Sequence, residues 1–420
     1  MRQVPTNIGK FRLIFPFFLV IILDVMSFGI VQPVLSVAVV DNTQHIFGLH
    51  STVASRHAIY GFLLAIATLC YMFGTPILGY FSDRVGRRKI LLVCLIGSLL
   101  GLLGYVLSFT LSSLPLLIIA RIIIGFTSGS VAVAQSAIAD VTSGVEKAKN
   151  IGVIAVALTI GLVAGPLVGG VLSDPTVLPW FNTNTPFYAG IILSIISLIV
   201  LLYSMQETHE IVQNKNKNSL IAEVKLLGHE FMNITCRSNI HFILLTFFLF
   251  ELGWSLYFQS LALLLAQSLN ASLKMIGLLS SFVGLVLSLG LIYGVRFVVK
   301  RYKLTSIIGP SLVFGCLALI IGFIFNGLVL QWLIAIPIAI VVAFCYSILI
   351  TFASDKTDAN KQGLLMGTTD SLLALAFTIT GYLSGVLAIH NAVLPQLVAA
   401  IFFAFGFLLY PLAKKQYLKE

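Results

Sequence analysis

Three acids stand alone in long apolar runs: Asp24 in LDVMSFGIVQ, Glu251 in LFELGWSLYFQ and Asp370 in GTTDSLLALAF. A basic counterpart, Arg121, interrupts IIARIIIGF. Each acid lies roughly 10 residues into its run, or ~15 Å at the helical rise, which is the middle of a ~30 Å hydrocarbon layer. A carboxyl taken out of water favours its protonated form. It can therefore load a proton from one side of a membrane and release it on the other. Ionisable groups at such depth are functional by default, so Asp24, Glu251, Asp370 and Arg121 are the candidates for proton coupling. The competing reading is a set of hydrogen-bonded groups that only tie helices together, or, for Arg121, a side chain reaching back to the membrane surface.

The elements that position them follow from composition. Of the 420 residues, 59% are hydrophobic and 10% charged, whereas a soluble domain carries roughly 25% charged residues. Spans are predicted at 13–40, 57–80, 90–109, 114–139, 150–173, 186–205, 241–268, 273–299, 305–326, 331–353, 361–389 and 393–413. The first run is too long for a cleavable signal and lacks a small-residue cleavage site. With the N-terminus placed in the cytoplasm, only Arg56 and Lys274 of the 25 Lys and Arg fall in outer loops, and Arg121 lies within a span. All the others fall on the inner side, as the positive-inside rule requires. Both termini are thus expected in the cytoplasm. The base excess forms no stripe with interleaved aromatics, so no nucleic-acid partner is expected. The cysteines show no CxxC spacing, and His45, His50 and His57 read as a solvated loop, so no metal site is expected.

Polar residues concentrate between spans six and seven. We read 1–205 as a six-helix half, 206–240 as a cytoplasmic linker and 241–420 as a second half. Within the linker, Asn218–Asn233 is expected to be an amphipathic helix on the inner membrane surface. The halves repeat one another. Asp24 and Gln32 recur as Glu251 and Gln259. Asp140, Gly152, Gly170, Val171 and Leu172 recur at one constant offset as Asp355, Gly367, Gly385, Val386 and Leu387. Such repeats are the architecture of alternating-access carriers. No G-x4-GK-[ST] loop for ATP is present.

The loop after span two reads GYFSDRVGRRKILL. Gly79 and Gly86 suit close approach and a turn, and Asp83 among Arg84, Arg87 and Arg88 suits an ionic latch between helix ends. The loop resembles motif A of the major facilitator superfamily, with Phe81 at the leucine position. In that family it latches the two halves in one state. The matching loop, GVRFVVKRYK (294–303), keeps the bases but has Val298 where the acid would fall. Arg121–Gly125 resembles motif B, with Ile124 for its glutamine. Gly161, Gly165, Pro166, Gly169 and Gly170 in span five resemble motif C, the antiporter motif of drug/proton exchangers. The implied fold is all-α, twelve transmembrane helices in two pseudo-symmetric six-helix halves. In that fold Gln32, Gln135, Trp254, Tyr257 and Gln259 lie on spans that line the central cavity.

Residues 20–175 further resemble the tetracycline/proton antiporter branch, through LDVMSFGIVQPVL, AIADVTSG and GPLVGG. The acids that branch carries in spans three and nine, and its histidine in span eight, are missing. The expectation is therefore a bacterial inner-membrane protein that is not an enzyme. It would be a monomeric, lipid-embedded antiporter exporting small organic molecules or drugs against protons, driven by the proton gradient without a bound cofactor. The alternative is a proton-coupled importer of a nutrient, metabolite or siderophore. A non-transporting membrane sensor is the third class, and motif A with the midplane acids argues against it.

Overall fold

A polypeptide surrounded by hydrocarbon must satisfy its backbone polar groups internally, and this chain does so with helices. The computed structural model describes residues 7–41, 45–48, 50–141, 144–205, 207, 240–358 and 361–418. The expected amphipathic helix at Asn218–Asn233 lies outside them. Among the described residues, 12 helices are long and apolar enough to cross a membrane, and no strand occurs. They are Phe15–Val40, Val53–Val85, Arg87–Thr110, Leu114–Ile138, Val153–Val171, Thr185–Ser204, His241–Ser268, Leu273–Val299, Leu304–Ile324, Leu328–Asp355, Gln362–Ala388 and Leu394–Leu418, numbered here as spans one to twelve.

Besides span nine, which opens on a 3-10 turn at Leu304–Ser306, two spans depart from the continuous helices expected. Span four is helical over Leu114–Thr127 and again from Ser130, with Ser128 and Gly129 outside the helix. Span eight carries a π-helical turn at Gly290–Gly294, of the kind that interrupts α-helices at functional positions.

The chain forms two compact units. One runs to Gln213 and takes in Asn270–Ser281; the other holds the remainder. Each unit has the same internal plan. In the first, span one packs against five and six, and span three against four and six; in the second, span seven packs against eleven and twelve, and span nine against ten and twelve. The repeat read from sequence is thus also a repeat of packing.

Small residues set the closest approach in the first unit. A Cβ on Gly29 would come within 2.6 Å of Pro166 Cδ, one on Gly165 within 2.9 Å of Gly29 Cα, and one on Gly161 within 2.7 Å of Val25 Cβ. Gly169 lies likewise against Ile30. Spans one and five therefore meet backbone to backbone, which small residues permit. Gly170 points elsewhere, onto Gly277 of span eight. The helix of span five continues through Pro166.

Candidate functional site

Asp24 is buried on span one, 4% exposed. The break in span four is its binding partner. Ser130, the first helical residue after the break, donates its hydroxyl to Asp24 Oδ2 at 2.5 Å, and its backbone N–H is also directed at the carboxyl. A helix N-terminus leaves N–H groups without intrahelical partners and favours a negative group, so Asp24 caps the second part of span four from a different helix. Ser128 Oγ lies beside the carboxyl as well. Its Oγ is also within hydrogen-bond reach of the Ile124 carbonyl, at 2.7 Å. Asp24 Oδ1 has no hydrogen-bond partner among the described residues. Sequence reading missed this arrangement, although the run Thr127-Ser128-Gly129-Ser130 in an otherwise apolar span was its signal.

Glu251, the repeat counterpart, is 1% exposed on span seven. Neither carboxylate oxygen has a hydrogen-bond partner among the described residues. One turn on, Ser255 donates to the backbone carbonyl of Glu251 and not to its side chain. Asp370 differs from both: it is exposed on span eleven, so equal depth in sequence does not mean an equal environment.

Arg121 is 2% exposed. The burial rules out a side chain reaching back to the membrane surface. It lies beside Tyr60 of span two and Tyr105 of span three, and its Nε and Nη2 have no partner among the described residues. Of the expected cavity residues, Gln259 donates to the Phe377 carbonyl and to Thr380 Oγ1, each at 2.9 Å, tying span seven to span eleven. Trp254 stacks on Phe258 and tilts against Tyr257. Tyr257 is buried with its hydroxyl unpartnered among the described residues. Gln32 is buried and Gln135 exposed.

The loop after span two centres on Arg87. Its side chain is 7% exposed and reaches three groups: Asp83, Ser82 Oγ and, at 3.1 Å, Asp140. Asp83 is 60% exposed, so its share of the network is screened by solvent. The other arginines do not join it as expected. Arg88 donates to the Leu202 carbonyl at 2.7 Å, and Arg84 lies over the Tyr80 ring. Gly79 has nothing near the position a Cβ would take, which removes close approach as its reason. Gly86 does fulfil the turn expectation, with φ +111° and the Glu207 carboxylate where a Cβ would sit. Glu207, unremarked in the sequence, accepts from the Arg87 N–H at 2.8 Å and caps span three.

At the opposite end of span five, Asp174 accepts from Thr176 Oγ1 at 2.7 Å, Thr176 N–H at 2.9 Å and the Lys274 N–H that opens span eight at 3.0 Å. Burial works against its charge, but these donors together with Ser272 outweigh burial and hold the carboxyl below its usual range. Among the described residues no cluster of His, Cys, Asp or Glu is arranged to hold a metal.

Twelve apolar spans in two repeated units, with buried acids at matched positions, define a secondary-carrier architecture. Residues 17–381 match the model of the Major Facilitator Superfamily, and the chain belongs to that family. It is 29% identical over 369 residues to the tetracycline resistance protein, class H, of Pasteurella multocida, covering 84% of this chain and 83% of that protein. The class C protein of Escherichia coli is 35% identical over 188 residues, but that match spans 45% of this chain and 43% of that protein. Among solved structures, a D-xylose–proton symporter superposes with TM-score 0.70 at 18% identity, covering 97% of each chain. A bacterial homologue of the lysosomal transporter Spinster gives TM-score 0.72 at 16% identity, covering 99% of this chain and 98% of that one. The protein is accordingly a multi-pass inner-membrane transporter of small molecules, not an enzyme.

Proposed function

We propose that this transporter is a proton-coupled antiporter that exports small organic molecules by alternating access, with both termini in the cytoplasm. The observation that carries the reading is the pair of repeat-related acids, Asp24 and Glu251, both buried at mid-span. The tetracycline resistance relatives and the glycine-rich span five support export. Asp24 is the coupling acid: its free Oδ1 takes up the proton and gives it up again on the other side. Glu251, with Trp254 and Tyr257 on the same helix, recognises substrate. A charge on Glu251 in apolar surroundings is uncompensated, so a cationic, zwitterionic or donor-rich substrate suits it and a simple anion does not. Asp370 adds negative potential on span eleven. The transporter acts as a monomer in lipid.

Two measurements test this. In purified protein reconstituted into liposomes, an imposed pH gradient drives transport by wild type and not by Asp24→Asn; full gradient-driven transport by that variant defeats the assignment. Comparing right-side-out with inverted vesicles fixes direction, and accumulation against the cytoplasmic side replaces export with import.

A further inference from the structure

The break in span four has no counterpart in the expectations drawn from sequence, and its surroundings give it a role. Interrupted helices at membrane depth are tolerated only where their free backbone groups find protein partners. Here the first part of span four is closed by its own side chains: Thr127 Oγ1 donates to the Ile123 carbonyl at 2.8 Å and Ser128 Oγ to the Ile124 carbonyl. At the start of the second part, Asp24 of span one accepts from Ser130. Gly129 is held at the break by span two, since a Cβ there would come 3.0 Å from Leu78 Cδ1 and 3.1 Å from Thr75 Cα. Ser128, Ser130 and Asp24 are all buried.

We propose that Ser130 is a positioning residue for the coupling acid, and that the Ser128–Ser130 break is the joint through which the proton on Asp24 is felt by span four. The proposal rests on Asp24 being the coupling acid. The ionised carboxylate accepts from the Ser130 hydroxyl and N–H, and a hydrogen bond to a charged acceptor is about twice as strong as one between neutral groups. A proton arriving on Oδ1 forms an O–H and removes the charge from that bond. Loading thus weakens the hold of Asp24 on the second part of span four, and release from the same oxygen restores it.

The other titratable groups near span one do not supply this function. The Cys94 thiol of span three feels the Asp24 charge but is not a hydrogen-bond partner of it. Tyr60 of span two and Tyr105 of span three face Arg121. Tyr71 of span two meets Phe28 edge-on, and Tyr188 of span six is exposed. Span five, over Val153–Val171, has no titratable side chain.

Infrared difference spectra of the purified protein between acid and alkaline pH test the proposal without requiring a transport substrate. Asp24→Asn identifies the protonated-carboxyl C=O band of Asp24 by removing it. In Ser130→Ala the band moves to higher wavenumber because the hydroxyl donor to Oδ2 is lost. Ser130→Thr keeps a hydroxyl and returns the band to its wild-type position, and Ser130→Cys, a weak donor, falls between. An unmoved band in Ser130→Ala overturns the positioning role while leaving Asp24 as the coupling acid. If Asp24→Asn removes no band, the coupling assignment fails and the proposal fails with it. Should Ser130→Ala fold poorly, the Thr and Cys variants carry the same comparison: a band identical in both overturns the role.

Discussion

Asp24 and Glu251 occupy equivalent places in the two repeated units, yet their surroundings are opposite. Asp24 is met by a hydroxyl and a helix N-terminus, whereas neither carboxylate oxygen of Glu251 has a hydrogen-bond partner among the described residues. The same asymmetry runs through the neighbouring contacts. Spans one and five close on glycine, with Gly165 against Gly29. Spans seven and eleven close on a hydrogen bond, with Thr380, the repeat counterpart of Gly165, accepting from Gln259. It extends to the loops. Arg87 in the first unit is held by Asp83 and Asp140, while Arg301 in the second lies over the Phe297 ring. A duplicated scaffold has thus been furnished for two jobs. One unit meets its acid with a built polar cradle, and the other leaves its acid without a hydrogen-bond partner among the described residues, the division of roles proposed above.

The comparison breaks most directly at Arg87. Arg87→Ala removes the bonds of a nearly buried guanidinium to Ser82 and to Asp83 and Asp140, both partly in solvent, an expected loss of about 1–3 kcal/mol, read as a fall in thermal unfolding temperature in detergent. Arg301→Ala in the matching loop changes that temperature little, and equal losses would remove the asymmetry. The acids come next. Asp24→Leu leaves the Ser130 donors unsatisfied at a cost of about 1–3 kcal/mol, whereas Glu251→Leu replaces an unpartnered polar group by an apolar one and is neutral or stabilising. A Glu251→Leu variant as damaged as Asp24→Leu would show a hidden partner for Glu251. Asp83→Asn, at an exposed site, costs less than about 1 kcal/mol because Arg87 keeps Asp140.

Substrate binding sharpens the contrast further. Affinity for a cationic substrate is expected to weaken as pH falls from about 8 to 5, since protonated carboxyls attract it less. Glu251→Gln removes most of that dependence and Asp370→Asn a smaller part. Affinity flat with pH in all three proteins rejects competition between proton and substrate. The smallest effect belongs to Asp174. Its carboxyl is held below the usual range, so its contribution is complete above the ordinary aspartate value of about 3.9 and fades as pH drops below it. The stability difference between wild type and Asp174→Asn is therefore constant from about pH 8 to 5 and shrinks only under stronger acid.

The fold was legible because its signals are coarse. Long apolar runs, the placement of bases and the matched offsets of Asp24/Glu251 and Asp140/Asp355 each depend on residue type alone. The burial of Arg121, Asp24 and Glu251 followed from the same runs. What sequence did not disclose is pairing across helices. Asp83 among three arginines gave no way to tell that Arg87 alone would take it, or that Arg88 would turn to a backbone carbonyl. Ser130 was invisible as a partner of Asp24 because the two are 106 residues apart. For Asp370, depth counted along the helix gave its level in the membrane and not how accessible its side chain is.

Glu207 carries a consequence for dividing the chain. Its carboxylate sits three residues beyond the last helical residue of span six, Ser204, yet it completes the start of span three. A chain severed on the N-terminal side of residue 207 and expressed as two separate pieces would hand that cap to the wrong fragment, and the first piece would keep its Gly86 turn without the group that fills it. Severed just after 207, the first fragment retains Asp83, Ser82, Asp140 and Glu207, the described partners of Arg87. The boundary for complementation by separate halves is therefore set by a side chain beyond the last turn of the helix.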